Sequence, residues 1–228
     1  MQFSDWLPIY TAILDDFGFS PRRDEEGSDL LAALLRDRQD LFDEAFKLVR
    51  GKRAVVFGNA PCLEKDLERL LQSGVVKKGA PQESIAGGAS ALLAADGAAA
   101  SLLRQGIVPD IVVTDLDGPP EALLEASRLG CIMVVHAHGD NLDVLARMVP
   151  ELKRVIGTCQ CRPPAGLYNL GGFTDGDRCV FLARELEASE IVLAGFDFED
   201  ESVTPRKRKK LAWARKLIDI ALAERKGD

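Results

Sequence analysis

No run of apolar residues in this chain approaches the roughly 20 that a membrane-spanning helix needs, and the segment after Met1 lacks the basic-then-apolar pattern of a secretory signal. A cytoplasmic protein with no membrane partner is expected. Positive charge is also in short supply. There are 29 Lys and Arg against 36 Asp and Glu, a net charge of -7, which argues against broad nucleic-acid binding. Cysteine is too sparse for a disulfide framework, five residues in a chain of 228 that is long enough to fold on one apolar core. Cys62, Cys131 and Cys179 fall in helix or strand patterns, where buried small hydrophobes are the ordinary reading. Cys159 and Cys161 lack the second pair that a zinc site would use. Gly-x-Gly-x-x-Gly and the Walker Gly-Lys-Ser/Thr are both missing, so neither a dinucleotide enzyme nor a P-loop kinase is indicated. There is no internal repeat or low-complexity tract, although 86–100 is rich in small residues that suit close packing.

What the chain does have is a pair of carboxylates one residue apart at the end of an apolar run, in Pro109-Asp110-Ile111-Val112-Val113-Thr114-Asp115-Leu116-Asp117-Gly118. Residues 111–113 read as a buried strand, and in extended geometry residues i and i+2 share a face about 6.5 Å apart. Asp115 and Asp117 then converge. Two ionised carboxylates at that separation repel by roughly 2 to 3 kcal/mol at an effective dielectric of about 20, so a positive partner is expected. Magnesium is the natural one, because it takes hard oxygen ligands and shares them with substrate phosphates. The alternative is a turn-capping role, common for Asp and Gly where a strand enters a loop.

Similar units recur along the chain. Residues 54–57 run into Gly58-Asn59-Ala60-Pro61 and a helical pattern over 63–71; 90–95 stops at Asp96-Gly97 before a short helix closed by Gly106. Residues 131–135 lead into His136-Ala137-His138-Gly139-Asp140-Asn141, and 191–194 into Gly195-Phe196-Asp197-Phe198, with a weaker strand at 154–157. Strands alternating with helices predict an α/β fold, a Rossmann-like, mostly parallel sheet flanked by helices. Right-handed crossovers place Asp96, Asp115, Asp117, Asp140 and Asp197 on one carboxyl rim, where open α/β sheets bind ligands. Residues 1–50 are organised differently and form a helical amino-terminal extension to an α/β domain over 51–228. Two helices are expected there, one ending at Gly18 and one following Ser28-Asp29 to about Val49. They would cover an edge of the sheet or a partner subunit of a homodimer.

Several segments together carry a resemblance: Asp15-Asp16-Phe17-Gly18-Phe19-Ser20, Gly58-Asn59-Ala60-Pro61-Cys62-Leu63, Ala95-Asp96-Gly97-Ala98, the segment 109–118, His136 to Asn141, Asn169-Leu170-Gly171-Gly172-Phe173-Thr174-Asp175-Gly176-Asp177-Arg178 and Gly195-Phe196-Asp197-Phe198. In order and over nearly the whole chain, they resemble the archaeal 6-hydroxymethyl-7,8-dihydropterin diphosphokinases of the MptE type. The Ala-Asp-Gly and Asp-x-Asp pieces are also similar to the catalytic domain of thiamine pyrophosphokinases, whose β-rich substrate domain this chain is too short to contain. The resemblance implies transfer of diphosphate from ATP to a pterin alcohol, with AMP released, magnesium required, and a product destined for methanopterin or folate synthesis. Cys62 stands where serine is more usual in that family.

On this reading Asp115 and Asp117 hold the metal, with Asp96 and Asp140 as further ligands. The turn Gly58, Asn59, Ala60 and Pro61 aims amides at a phosphate, aided by the helix start behind it. Arg178, and Lys207 and Lys210 from the run Arg206-Lys207-Arg208-Lys209-Lys210, supply cations to the ATP triphosphate; the alternative for that run is a solvated helix face. His136 and His138 with Asp140 offer zinc-like spacing, but a role in shaping the strand end is preferred. A pterin presents adjacent N–H donors that suit a carboxylate and a flat face that suits an aromatic ring, which makes Asn169, Phe173 and Asp175 the candidates for its recognition. Two other classes share such a rim: a nucleotide-sugar-dependent glycosyltransferase and a non-catalytic nucleotide-binding module.

Overall fold

The computed structural model describes residues 1–79 and 90–223; the small-residue positions 86–89 lie outside them. Helices α1 (Phe3–Phe17), α2 (Pro21–Leu35) and α3 (Phe42–Val49) precede β1 (Arg53–Phe57). There follow α4 (Leu63–Gln72), β2 (Ala91–Ala95), α5 (Asp96–Arg104), β3 (Ile111–Thr114), α6 (Pro120–Arg128), β4 (Ile132–Ala137) and α7 (Leu142–Met148). The chain closes with β5 (Val155–Cys159), β6 (Leu167–Tyr168), α8 (Asp175–Glu185), β7 (Glu190–Ala194) and α9 (Pro205–Ala223). No helix among the described residues is long and apolar enough to cross a membrane.

The strands pair in the order β6-β5-β4-β3-β2-β1-β7, and every pairing is parallel. Strands β2, β3 and β4 are buried along their whole length, as expected where helices cover both faces of a parallel sheet. Alternate residues feed two cores. Ala54, Val56, Leu93 and Val113 face α1, α3, α8 and α9, whereas Val55, Phe57, Leu92 and Val112 face α4 to α7. The amino-terminal helices are therefore built into the main structure: Trp6, Tyr10 and Ile13 of α1 and Ala45 and Val49 of α3 join the first core, and Leu31 of α2 joins the second.

Three helices occupy the region where the sequence pattern suggested two. Ser20 precedes Pro21 at the first turn of α2, where a fixed φ and a missing N–H cost nothing. Ser28 is not a start signal but lies inside α2, its buried hydroxyl satisfied by donating to the Glu25 carbonyl oxygen at 2.9 Å. The break before α3 is fixed by Asp40, whose carboxylate accepts the Phe42 N–H at 2.9 Å.

Candidate active site

Strand pairing of β3 stops at Thr114, and Leu116 then takes a left-handed backbone with φ 68°, a conformation that costs a non-glycine residue about 1–3 kcal/mol. Two contacts hold it there. Its side chain is 3% exposed, and its N–H donates to Thr114 Oγ1 at 2.7 Å. The turn folds Asp117 back so that its N–H donates to Asp115 Oδ1 at 3.3 Å. The two carboxylates thus converge through a left-handed turn, not through the pleat of an extended strand.

Asp96 begins α5 at the end of β2. The Thr114 hydroxyl donates to its Oδ2, as does the Gly118 N–H at 3.1 Å, while Oδ1 is buried without a hydrogen-bond partner among the described residues. A side chain at 118 is impossible in this geometry, because a Cβ there would lie 1.6 Å from Asp96 Oδ1. Asp175 arrives from elsewhere: it opens α8, the helix that crosses one face of the sheet between β6 and β7. One oxygen from each of Asp96, Asp115, Asp117 and Asp175 lies within 4.8 Å of the others. Two basic side chains flank them. Arg178 Nη1 is 3.3 Å from Asp175 Oδ1, and His138 Nε2 is 3.4 Å from Asp115 Oδ2.

The charges are unevenly shared. Burial pushes the Asp115 carboxyl up, but the hydrogen bond from His138 and the charge of Arg178 outweigh it and hold the group well below the usual carboxylate range. Asp117 is raised by burial and then by the negative charge of Asp115. Asp96 is lifted to about 6 by burial, against the bonds from Thr114 and Gly118. Burial likewise raises Asp175, with Asp115 adding to the effect and Arg178 opposing it. Three of the four carboxyls, those of Asp96, Asp117 and Asp175, are thus biased toward retaining a proton while Asp115 stays ionised. The all-oxygen donor set and the unpartnered Asp96 oxygen fit a hard divalent cation such as magnesium.

Not every residue singled out in the sequence joins this cluster. Asp140 stays outside, because β4 runs on through Ala137 and the tight turn after it points His138 toward Asp115; the Asp140 N–H donates to His138 Nδ1 at 3.2 Å. Asp175, expected against the pterin, sits among the metal-capable carboxylates instead. Asn169 spends its amide on the loop, donating to the carbonyls of Gln160 and Cys161 at 2.9 and 2.8 Å and accepting the Gly171 N–H. Phe173 is 8% exposed and packs on Phe17, ring centroids 5.0 Å apart, with the Lys210 ammonium 5.8 Å from its own centroid. Lys210 is half-buried and its charge reaches Asp117, whereas Lys207 is exposed. In the first turn, the Gly58 and Ala60 amides donate to Ala194 and Gly195 of the β7 end, each at 2.9 Å. Pro61 has no amide proton, which leaves the Asn59 N–H as the turn's one backbone donor without a partner among the described residues; the Asn59 side chain abuts Gly97, next to Asp96.

His136 is buried, its Nδ1 3.1 Å from Thr158 Oγ1, and burial followed by the charge of Arg178 pushes its pKa well down. It shapes the strand end and does not face the cluster as a ligand. Cys159 and Cys161 are buried thiols. Sequence reasoning missed Asp24 and Gln160, both buried. Asp24 is followed by Glu25 and Glu26 on a helix, and nothing in that run distinguishes it from a solvated face.

Fold and site together define a class, an open parallel α/β protein whose carboxyl rim carries an all-oxygen carboxylate cluster flanked by cations. The family model described as 6-hydroxymethylpterin diphosphokinase MptE-like matches residues 31–202, and the chain belongs to that family. It is 44% identical over 243 residues to the 6-hydroxymethyl-7,8-dihydropterin pyrophosphokinase of Methanothermobacter thermautotrophicus, covering 100% of this chain and 97% of the relative. Proteins of the same name from Pyrococcus furiosus (42% identical; 96% and 94% covered) and Methanocaldococcus jannaschii (36%; 96% and 95%) are similar over the same extent. The resemblance read from the sequence is borne out.

Proposed function

We propose that the chain transfers the diphosphoryl group of ATP to the hydroxymethyl oxygen of 6-hydroxymethyl-7,8-dihydropterin and releases AMP, in the cytoplasm. The observation that carries this reading is the convergence of Asp96, Asp115, Asp117 and Asp175 at the carboxyl rim of a chain of this family. These four residues would hold magnesium. The ion, when bound, supplies neutralising charge to the phosphate oxygens. In the transfer the pterin oxygen bonds to the β-phosphorus, the bridging oxygen leaves with AMP, and the hydroxyl proton is released. The protein's task is to bring attacker and leaving group into line and to balance charge. Lys210 and Arg178 would offset negative charge at the rim, and the Asn59 N–H, in the turn between β1 and α4, would donate to a phosphate oxygen. Phe173, on the Phe17–Phe19 stack, is the proposed neighbour of the flat pterin ring.

Product analysis tests the proposal. Incubation with ATP, magnesium and the pterin alcohol should give AMP and the pterin diphosphate in equal amounts. Formation of ADP, turnover only with a sugar nucleotide, or binding with no turnover would each overturn it.

A further inference from the structure

Asp24 on α2 is 3% exposed and lies outside the carboxylate cluster, yet it holds both of the arms that bring basic groups to it. Its Oδ1 accepts the Gly139 N–H at 2.8 Å, and the preceding residue, His138, is the one that reaches Asp115. Its Oδ2 accepts the Tyr10 hydroxyl at 2.7 Å and the Gln160 side-chain amide at 2.8 Å. The Gln160 side-chain oxygen in turn accepts from Arg178 Nη2 at 3.5 Å, and Arg178 pairs with Asp175.

Steric fit supplies an independent observation. A Cβ on Gly27 would lie 2.9 Å from the His138 carbonyl oxygen, and a Cβ on Gly139 would lie 2.5 Å from Cβ of Arg23. Helix α2 therefore rests on the backbone of the His138 turn with no side chain between them. A carboxylate removed from water is costly unless donors satisfy it. Here the three donors that do so come from α1, from the turn after β4 and from the loop after β5, so satisfying Asp24 fixes their relative positions.

We propose that Asp24 is a positioning residue for the carboxylate cluster: it sets His138 against Asp115 and, through Gln160, Arg178 against Asp175, so that the four carboxylates are preorganised for a divalent cation. This rests on the reading of the cluster as the diphosphokinase centre. Outer-shell hydrogen bonds of this kind orient ligands that they do not touch. The amino-terminal helices are then a working part of the site.

The test uses the full chain and Mn²⁺ alone as probe, with binding read by calorimetry or electron paramagnetic resonance and turnover measured in parallel. Asp24→Asn replaces an acceptor by a donor opposite Tyr10 and Gln160, and should weaken Mn²⁺ binding about ten- to a hundredfold while the protein still unfolds cooperatively. In an Asp175→Asn background, where the Arg178 arm has lost its target and only the His138 arm remains, the same change should cost less; full multiplication of the two effects, or unchanged Mn²⁺ affinity in folded Asp24→Asn, overturns the proposal. Gln160→Met cuts the Arg178 arm alone and keeps the side-chain volume. It should lose affinity toward the lower end of that range, about tenfold, and it decides the matter if Asp24→Asn does not fold: wild-type affinity in Gln160→Met overturns the proposal. Asp115→Asn separates the two readings. If it retains Mn²⁺ binding and turnover, the reading of the cluster fails and the proposal with it; if it loses both while the folded Asp24 and Gln160 variants lose neither, the proposal alone fails.

Discussion

The turn after β1 and the turn after β3 begin alike and end differently. Each leaves a buried parallel strand at the same edge of the sheet and leads toward a helix. After β1, the end of β7 runs alongside and consumes the polar groups: the Gly58 and Ala60 amides are bonded to it, and a Cβ on Gly58 would lie 2.6 Å from the Gly195 carbonyl oxygen. After β3, the left-handed Leu116 turns the chain outward, and the Asp96 oxygen beside it has no partner among the described residues. A strand-turn-helix unit becomes a chemical site where its neighbours leave polar groups over. Where a neighbour absorbs most of them, as β7 does after β1, the unit is chiefly scaffold and keeps only the Asn59 N–H to offer.

The largest expected effect lies at the open turn. Asp115→Asn or Asp117→Asn should lower kcat by at least about a hundredfold with little change in thermal stability; near-normal turnover in either variant would erase the distinction between the two turns. Next comes the helix above it. Lys210→Gln should raise the apparent KM for ATP about three- to tenfold, equivalent to about 1 kcal/mol, and Lys207→Gln should leave it unchanged, because Lys210 alone of the two places its charge near Asp117. Equal effects from both would return the basic run to a solvated helix face.

A further effect, on the fold and not on turnover, is readable in stability without any ligand. Burial lifts the Asp96 carboxyl to about 6 in the folded protein, against about 4 in an unfolded chain. Its contribution to stability is therefore complete below about pH 4 and is lost as pH rises through about 6. Metal-free Asp96→Asn should be more stable than the wild type at pH 7.5, by on the order of 2 kcal/mol, and the gap should narrow as pH falls from about 6 toward 4. Urea titrations across that range check it, and a gap independent of pH would mean that Asp96 ionises normally. The smallest effect belongs to the closed turn. Cys62 points its thiol at the Phe196 carbonyl oxygen, 3.7 Å away, and Cys62→Ser should change stability by less than about 0.5 kcal/mol with kcat/KM unaltered. A large loss of activity there would mean that the first turn contributes more to the site than the Asn59 N–H proposed above.

The parallel sheet was legible because the apolar runs before Gly58, Asp96, Asp115 and Gly195 end at an Asp or Gly that marks the start of a turn. Asp96, Asp115 and Asp117 were legible as rim residues for the same reason. What pattern reading could not supply is anything set by a distant segment. Asp175 reaches the rim because α8 crosses the sheet, and Asp140 misses the cluster because the turn after β4 points His138 there instead, a turn whose Gly139 amide is held by Asp24, 115 positions earlier. The loss of the Gly58 and Ala60 amides to β7 is likewise a contact between segments far apart in the chain. The convergence of Asp115 and Asp117 was foreseen on the wrong geometry, since no propensity argument places a leucine at positive φ.

Strand β1 lies between β2 and β7, and its side-chain ladder with β7 joins Arg53 to Glu190, 137 positions apart. A ribosome delivers β1 early and its second neighbour after every other strand of the sheet. Until then β1 is the outermost strand and presents an open edge, the kind of template on which nascent chains aggregate, and closing it requires one of the slow, long-range pairings that limit folding rates. The helix that brings Asp175 to the rim is translated immediately before β7 and leads into it. All four residues of the carboxylate cluster are thus synthesised before the sheet is complete, and the edge left open during synthesis is the one that later seals the turn after β1.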